Sequence, residues 1–168
     1  MVSGSELRET GAAATPEPSR EALRLTLKPK AAAMGAVDGG WWPRSMDPLA
    51  EFPAMIAGLV LRVGRVDRLA YNMTVWGDAP RRMVVDGRTI RLEGFRSLDP
   101  HRVLVSGHDG HRMVLLVVPP EAAEDAGGAA LLRAAEPGNA EQPAQILIAT
   151  GIDPARSGAP AVGTRDAV

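Results

Sequence analysis

The stretch richest in chemical possibility is GGWWPRSMDP, residues 39–48, where two of the chain's three tryptophans stand side by side between paired glycines and Pro43-Arg44. Trp42, Arg44 and the backbone amides of a helix opening at Asp47 would join a flat stacking surface, a cation and N–H donors. That combination suits an anionic ligand carrying a ring, such as a nucleotide or a base of single-stranded nucleic acid. Asp38, on the glycine-rich approach to this loop, is the carboxylate best placed for acid–base work, although a turn-forming or arginine-pairing role competes. A structural reading also competes for the tryptophans. Neighbours in an extended segment point in different directions, so one of Trp41 and Trp42 is expected in the core and the other at the rim or against a partner. Which is which stays open, and Arg44 then stacks on a Trp or pairs with Asp38 or Asp47.

A second pattern lies in the arginines. If Leu69, Tyr71, Met73, Val75, Met83, Val85, Ile90, Leu92, Val103 and Val105 face the helices, alternation throws Arg68, Arg82, Arg91, Arg102 and Arg112 to the other side of the sheet. Such an array is either a solvated face with charge pairs to acids such as Glu93, or a surface for RNA, DNA or an acidic protein. The charge balance is mild. Arg20 to Val118 carries fifteen Lys or Arg against ten acids, a net +5, and the remainder four against ten, a net −6. This falls short of the strongly basic domains dedicated to nucleic acid.

Other chemistry is weaker. His108 and His111 flank an Asp109-Gly110 turn, but a metal needs at least three placed ligands, so exposed turn histidines and no metal are expected; His101 reads as a loop residue. There is no nucleophile-elbow serine, phosphate loop, dinucleotide fingerprint or HExxH, and no cofactor is expected. The absence of Cys excludes disulfides and thiolate chemistry and fits a reducing compartment. No secretory h-region and no membrane-length apolar run occur, so a cytoplasmic setting without a membrane partner is expected.

These residues need elements to position them. LRLTLK (23–28) alternates as a strand ended by Pro29, and an irregular stretch through the Trp pair follows. Leu49, Phe52, Ile56, Leu59, Val60 and Val63 recur at helical spacing behind an Asp47-Pro48 cap, with Pro53 as a kink or a later start and Gly64 as the stop. Residues 66–76 read as a long strand, and Asp86-Gly87 and Asp109-Gly110 as hairpin turns, giving an antiparallel meander. Pro119-Pro120-Glu121 opens a second helix weakened by Gly127-Gly128, and 145–152 is either a strand or a helical turn. The expectation is a single α+β domain over 21–152, an antiparallel sheet of five to six strands with helices on one face, between disordered tails 1–20 and 153–168.

The words VDGGWWPRSMDPLAEFPAMIAGL, YNMTVW, APRRM, IRLEGFR and LLVVPPE, in that order, resemble a family of small actinobacterial proteins carrying a domain of unknown function. The resemblance covers roughly residues 23–135 and implies one compact domain in a bacterial cytoplasm, with no reaction or ligand attached. Two function classes therefore stand. The first is a non-enzymatic binding or regulatory module acting on a protein, nucleic-acid or other anionic partner through the arginine face or the GGWWPRS loop. The second is a small enzyme with its pocket between that loop and the sheet; a deep pocket with convergent polar groups favours it, a flat basic surface the first.

Overall fold

In a computed structural model, residues 22–30 and 35–157 are described; the expected tail 1–20 and residues 158–168 of the expected tail 153–168 lie outside them. Seven strands among these residues form one sheet: β1 (Leu25–Leu27), β2 (Gly39–Trp41), β3 (Val66–Asn72), β4 (Arg82–Val85), β5 (Arg88–Phe95), β6 (Arg102–Gly107) and β7 (Arg112–Val117). Three helices accompany them, α1 (Pro48–Val63), α2 (Glu124–Ala134) and α3 (Pro143–Ala149), with a single turn α4 at Pro154–Ser157. That turn falls where the C-terminal tail is expected to begin, and the preceding Ile152 is buried against α3.

The hairpin turns form as their residues require. Asp86 and Gly87 both adopt positive φ, 50° and 77°, matching the right-handed strand twist between β4 and β5. Asp47 caps α1 by accepting the Leu49 N–H at 3.2 Å, and Gly64, with φ 70°, donates to the Val60 carbonyl at the other end. Pro53 sits within the helix, which neither starts there nor stops. Its buried stripe is Phe52, Met55, Ile56, Leu59 and Val63, whereas Leu49 and Val60, expected on that stripe, are about half exposed at 49% and 47%.

Topology departs from the expected meander. The strand order is β1-β2-β7-β6-β3-β5-β4, and the sheet is mixed: β2 runs parallel to β7 and β3 parallel to β5, with the other pairs antiparallel. β3 stops at Asn72, not at residue 76. The Asn72 side chain accepts from the Thr74 N–H at 2.7 Å and turns the chain outward, so β4 lies beyond β5 at the sheet edge. β2 was read as irregular because Gly39 and Gly40 carry no side-chain alternation. The undecided segment 145–152 falls largely in α3, which starts at Pro143 with a reciprocal Gln142/Gln145 capping box.

The helices cover both faces, not one. α1 crosses from β2 to β3 over the face formed by Leu69, Tyr71, Met83, Ile90, Leu92, Val103 and Val105. On the opposite face, α2 and α3 bury Ala130, Leu131, Ala134, Ile146 and Leu147 against Leu116, Val118 and Trp42. This second layer reaches β1, β2 and β7 only, and the same face of β3, β4 and β5 is left to solvent.

The tryptophan pair joins the two cores. Trp41, 1% exposed, enters the first, stacked on Trp76 at 5.5 Å between centroids and 7° between planes. Trp42, 5% exposed, enters the second, its Nε1 donating to the Pro119 carbonyl at 3.0 Å. A Cβ on Gly127 would overlap the Trp42 ring, so the glycine that weakens α2 is what lets that helix approach the indole. Because each indole fills a separate core, Trp41→Ala and Trp42→Ala should each cost about 3–5 kcal/mol as large-to-small core truncations. Urea melts of the two variants check this; a near-native midpoint for either would remove the two-sided anchor.

Candidate functional site

In the first candidate cluster both indoles are buried. Neither indole offers a free ring face: Trp41 is enclosed by Trp76 and Phe52, and Trp42 carries the Arg24 guanidinium 3.8 Å from its ring centroid. The stacking cation is thus Arg24, not Arg44. Arg24 Nε also donates to the Trp42 carbonyl at 3.0 Å and Nη2 to that of Pro43 at 3.1 Å. Arg44 turns outward, its Nη1 donating to the Ala22 carbonyl at 2.8 Å, and its backbone N–H donates to Glu51 Oε1 at 3.1 Å. Glu51, from the first turn of α1, therefore pins the loop in the role expected of Asp38 or Asp47.

Asp38 is a sheet component. Its Oδ2 accepts the Val114 N–H at 2.8 Å, bridging from the start of β2 to β7. The buried Lys28 ammonium donates to the Asn139 carbonyl at 2.8 Å; burial pulls its pKa below the ordinary value, and the Asp38 charge opposes that fall. The histidines also separate. His108 Nδ1 lies 3.3 Å from Asp67 and His111 Nδ1 3.1 Å from Asp109, both exposed, while His101 is buried with Nε2 3.0 Å from the Pro154 carbonyl. No grouping of three potential metal ligands occurs among the described residues.

The arginines share one face, as alternation requires, and four of them form a line. Register places Arg82 beside Arg91, Arg91 beside Arg68, Arg68 beside Ser106 and Ser106 beside Arg112. Four guanidinium stems thus cross five neighbouring strands, a span of about 19 Å at the usual strand spacing. Arg102 stands apart: its neighbour is Leu116, its side chain is 31% exposed, and its guanidinium rests 3.9 Å from Asp99. Along the line Glu93 lies 3.7 Å from Arg68 and 3.9 Å from Arg91, both beyond hydrogen-bonding distance, and Asp67 borders the row beside Arg68.

The same face carries residues that the sequence reading passed over. Phe95, two alternations beyond Arg91 on β5, is 46% exposed, and the alternation that found the arginines would have found it too. Arg82 and Arg91 also wall two cavities. One, of about 250 Å³, adds Asp67, Arg68 and Thr89. The other, of about 600 Å³, lies where β3 and β5 end in parallel and adds Tyr71, Arg81, Glu93 and Gly94. A third, of about 170 Å³, sits between the end of α1 and the β4–β5 hairpin. None of the three is lined by the 39–45 loop, where the alternative enzyme reading puts its pocket.

Tyr71, the chain's single tyrosine, lines the 600 Å³ cavity. Its ring packs edge-on to Phe52 at 5.5 Å, and its pKa is raised above the ordinary 10.0, first by burial and then by the Asp78 charge. Folding thus favours the neutral phenol, and the stability it contributes is fully present below the ordinary tyrosine value and lost as pH rises through the raised one. Absorbance at the phenolate band should titrate above free tyrosine, and Asp78→Asn should lower the midpoint without restoring it fully, because burial remains. A midpoint at the free value would place the hydroxyl in bulk water.

The family model DUF5994, described as a family of unknown function, matches residues 24–135. That range contains the whole sheet and α1 and ends just past α2. No curated protein and no solved structure matches. No helix among the described residues is long and apolar enough to cross a membrane.

Proposed function

The chain belongs to DUF5994, a family of unknown function, and on that premise we propose from its own geometry that it is a non-enzymatic binding module whose uncovered sheet face takes single-stranded nucleic acid. The observation that carries this reading is the line Arg82, Arg91, Arg68, Ser106, Arg112. Like charges on directly opposed strand positions destabilise a sheet by a few tenths of a kcal/mol per pair, and here two such pairs, Arg82 with Arg91 and Arg91 with Arg68, adjoin. A solvated face with charge balance would alternate signs. This one sets three arginines side by side, and Glu93, the acid paired with two of them, stands too far for a hydrogen bond to either.

A row of phosphates relieves that repulsion, and guanidinium planes serve both as phosphate partners and as stacking surfaces for unpaired bases. Phe95 supplies an exposed ring on the same face, the companion that single-strand binding requires beside its cations. The second helix layer stops at β7, which leaves the row open along its length.

A labelled single-stranded oligonucleotide should bind with an affinity that falls as salt rises, log K changing with log salt at a slope of about −2 to −3 for three or four phosphate contacts. Reversing Arg68 and Arg112 to Glu together should flatten the slope by about 1.4 while leaving the melting midpoint close to native, since both are exposed. Phe95→Ala should weaken binding at every salt concentration without altering the slope. Fluorescence anisotropy from low salt upward is the measurement. Absence of binding at low salt, or a slope untouched by the double reversal, would refute the reading, and retention of acidic proteins alone would move the surface to another partner class.

A further inference from the structure

We propose that the 600 Å³ cavity at the carboxyl ends of β3 and β5 is a separate small-molecule site for a phosphate monoester carrying an apolar ring. It shares Arg82 and Arg91 with the arginine row but does not depend on what the row binds.

The position follows from topology. β3 and β5 run parallel side by side, and the loop leaving β3 must travel outward past β5 before β4 can begin at Arg82. β4 pairs with β5 only up to the Arg82–Arg91 position, with one further bond from the Leu92 N–H to the Arg81 carbonyl at 2.8 Å. Beyond that, the last residues of β5 have no strand on their outer side among the described residues, and the cavity occupies the space between them and the loop. Open sheets bind ligands in this kind of crevice, outside the carboxyl ends of parallel strands.

The lining fixes the ligand's chemistry. Arg81, Arg82 and Arg91 all line this one cavity, and three guanidinium groups are the number and kind that a doubly charged phosphate accepts in forked hydrogen bonds. Met73 and Leu92 supply apolar wall, and the volume is within the range of sites that enclose a drug-sized molecule, far more than a bare phosphate fills. The Tyr71 hydroxyl has no hydrogen-bond partner among the described residues and is offered to the ligand's ester or phosphate oxygen. It lies beneath Gly94, where an added Cβ would come within 3.1 Å of it, so the glycine keeps this floor open. Glu93, loosely held by Arg68 and Arg91, adds an acceptor for a donor elsewhere on the ligand.

The test is calorimetric titration of the full chain with phenyl phosphate, inorganic phosphate and phenol. Phenyl phosphate should bind at least about tenfold more tightly than either fragment, because only it engages cations and apolar wall together. Arg81→Ala should weaken it about fivefold or more. Arg81 lies outside the arginine row and pairs through its backbone carbonyl, so its truncation leaves the fold and the oligonucleotide salt slope unchanged. Tyr71→Phe keeps the ring and should weaken binding severalfold, and in the native chain phenyl phosphate should perturb the single tyrosine's absorbance. Arg112→Glu should leave phenyl phosphate binding intact while lowering oligonucleotide affinity. No heat from phenyl phosphate at millimolar concentration, equal affinity for inorganic phosphate, or indifference to Arg81→Ala each overturns the proposal. Loss of oligonucleotide binding with phenyl phosphate binding retained overturns the reading of the row and leaves the pocket standing.

Discussion

Two consecutive indoles at the end of β2, one entering each of the two cores, are the constraint on which the rest of the molecule depends. A strand alternates its side chains, so Trp41 and Trp42 cannot both be buried unless both faces of the sheet are covered at that point. α1 supplies one cover through Phe52 and α2 the other through Gly127. The strand that ends at Trp41 is held from both sides, with β1 antiparallel and β7 parallel. Arg24 then closes the remaining face of Trp42 and ties the following loop by two backbone carbonyls. What looks in one dimension like a ligand-ready aromatic and cation motif is consumed by the architecture.

Covering both faces at one end of the sheet has a consequence at the other. After β7 the chain forms α2 and α3, and these bury their apolar residues against Leu116 and Val118 and beside Trp42. The far half of that face is left exposed and is mostly polar, with Arg68, Arg82, Arg91 and Thr89 beside the exposed Val84 and Phe95. Polarity alone does not require one sign of charge. Lining up four arginines by register, three of them on adjoining strands, runs against cross-strand pairing energetics and is the feature of this surface that folding does not demand. The carboxyl-end cavity exists for a related reason. Putting β4 outside β5 forces the β3–β4 loop across the sheet edge, and a loop that crosses an edge leaves space beneath it.

Local signals translated well into local structure. The Asp47-Pro48 cap, the Asp86-Gly87 turn and the hairpin at Asp109-Gly110 all depend on groups within a few residues of one another, and each forms. So does the alternation that sends Val103 and Val105 inward and Arg91 outward. Errors entered where the deciding partner is distant. β2 consists of two glycines and a tryptophan, with no pattern of its own, and is a strand because β1 and β7 flank it. Leu49 and Val60 fit the helical stripe by spacing and are left exposed because the helix docks through Phe52, Met55 and Leu59.

The sequence by itself determined the α+β class, the cap and turn positions, and which strand residues share a side, because periodicity and turn chemistry act over a few bonds. Tertiary structure alone decided the order of the strands and the sharing of helices between two faces. Both are settled by where large apolar surfaces find cover across the whole chain, which is a long-range balance with no local signature. The candidate site divides the same way. That Arg68, Arg82, Arg91 and Arg112 lie on one face was legible from alternation. That they stand in one line, beside an exposed Phe95 and a cavity floored by Tyr71, follows from the pairing of β3 with β5 and β6, which registry across the sheet alone could fix.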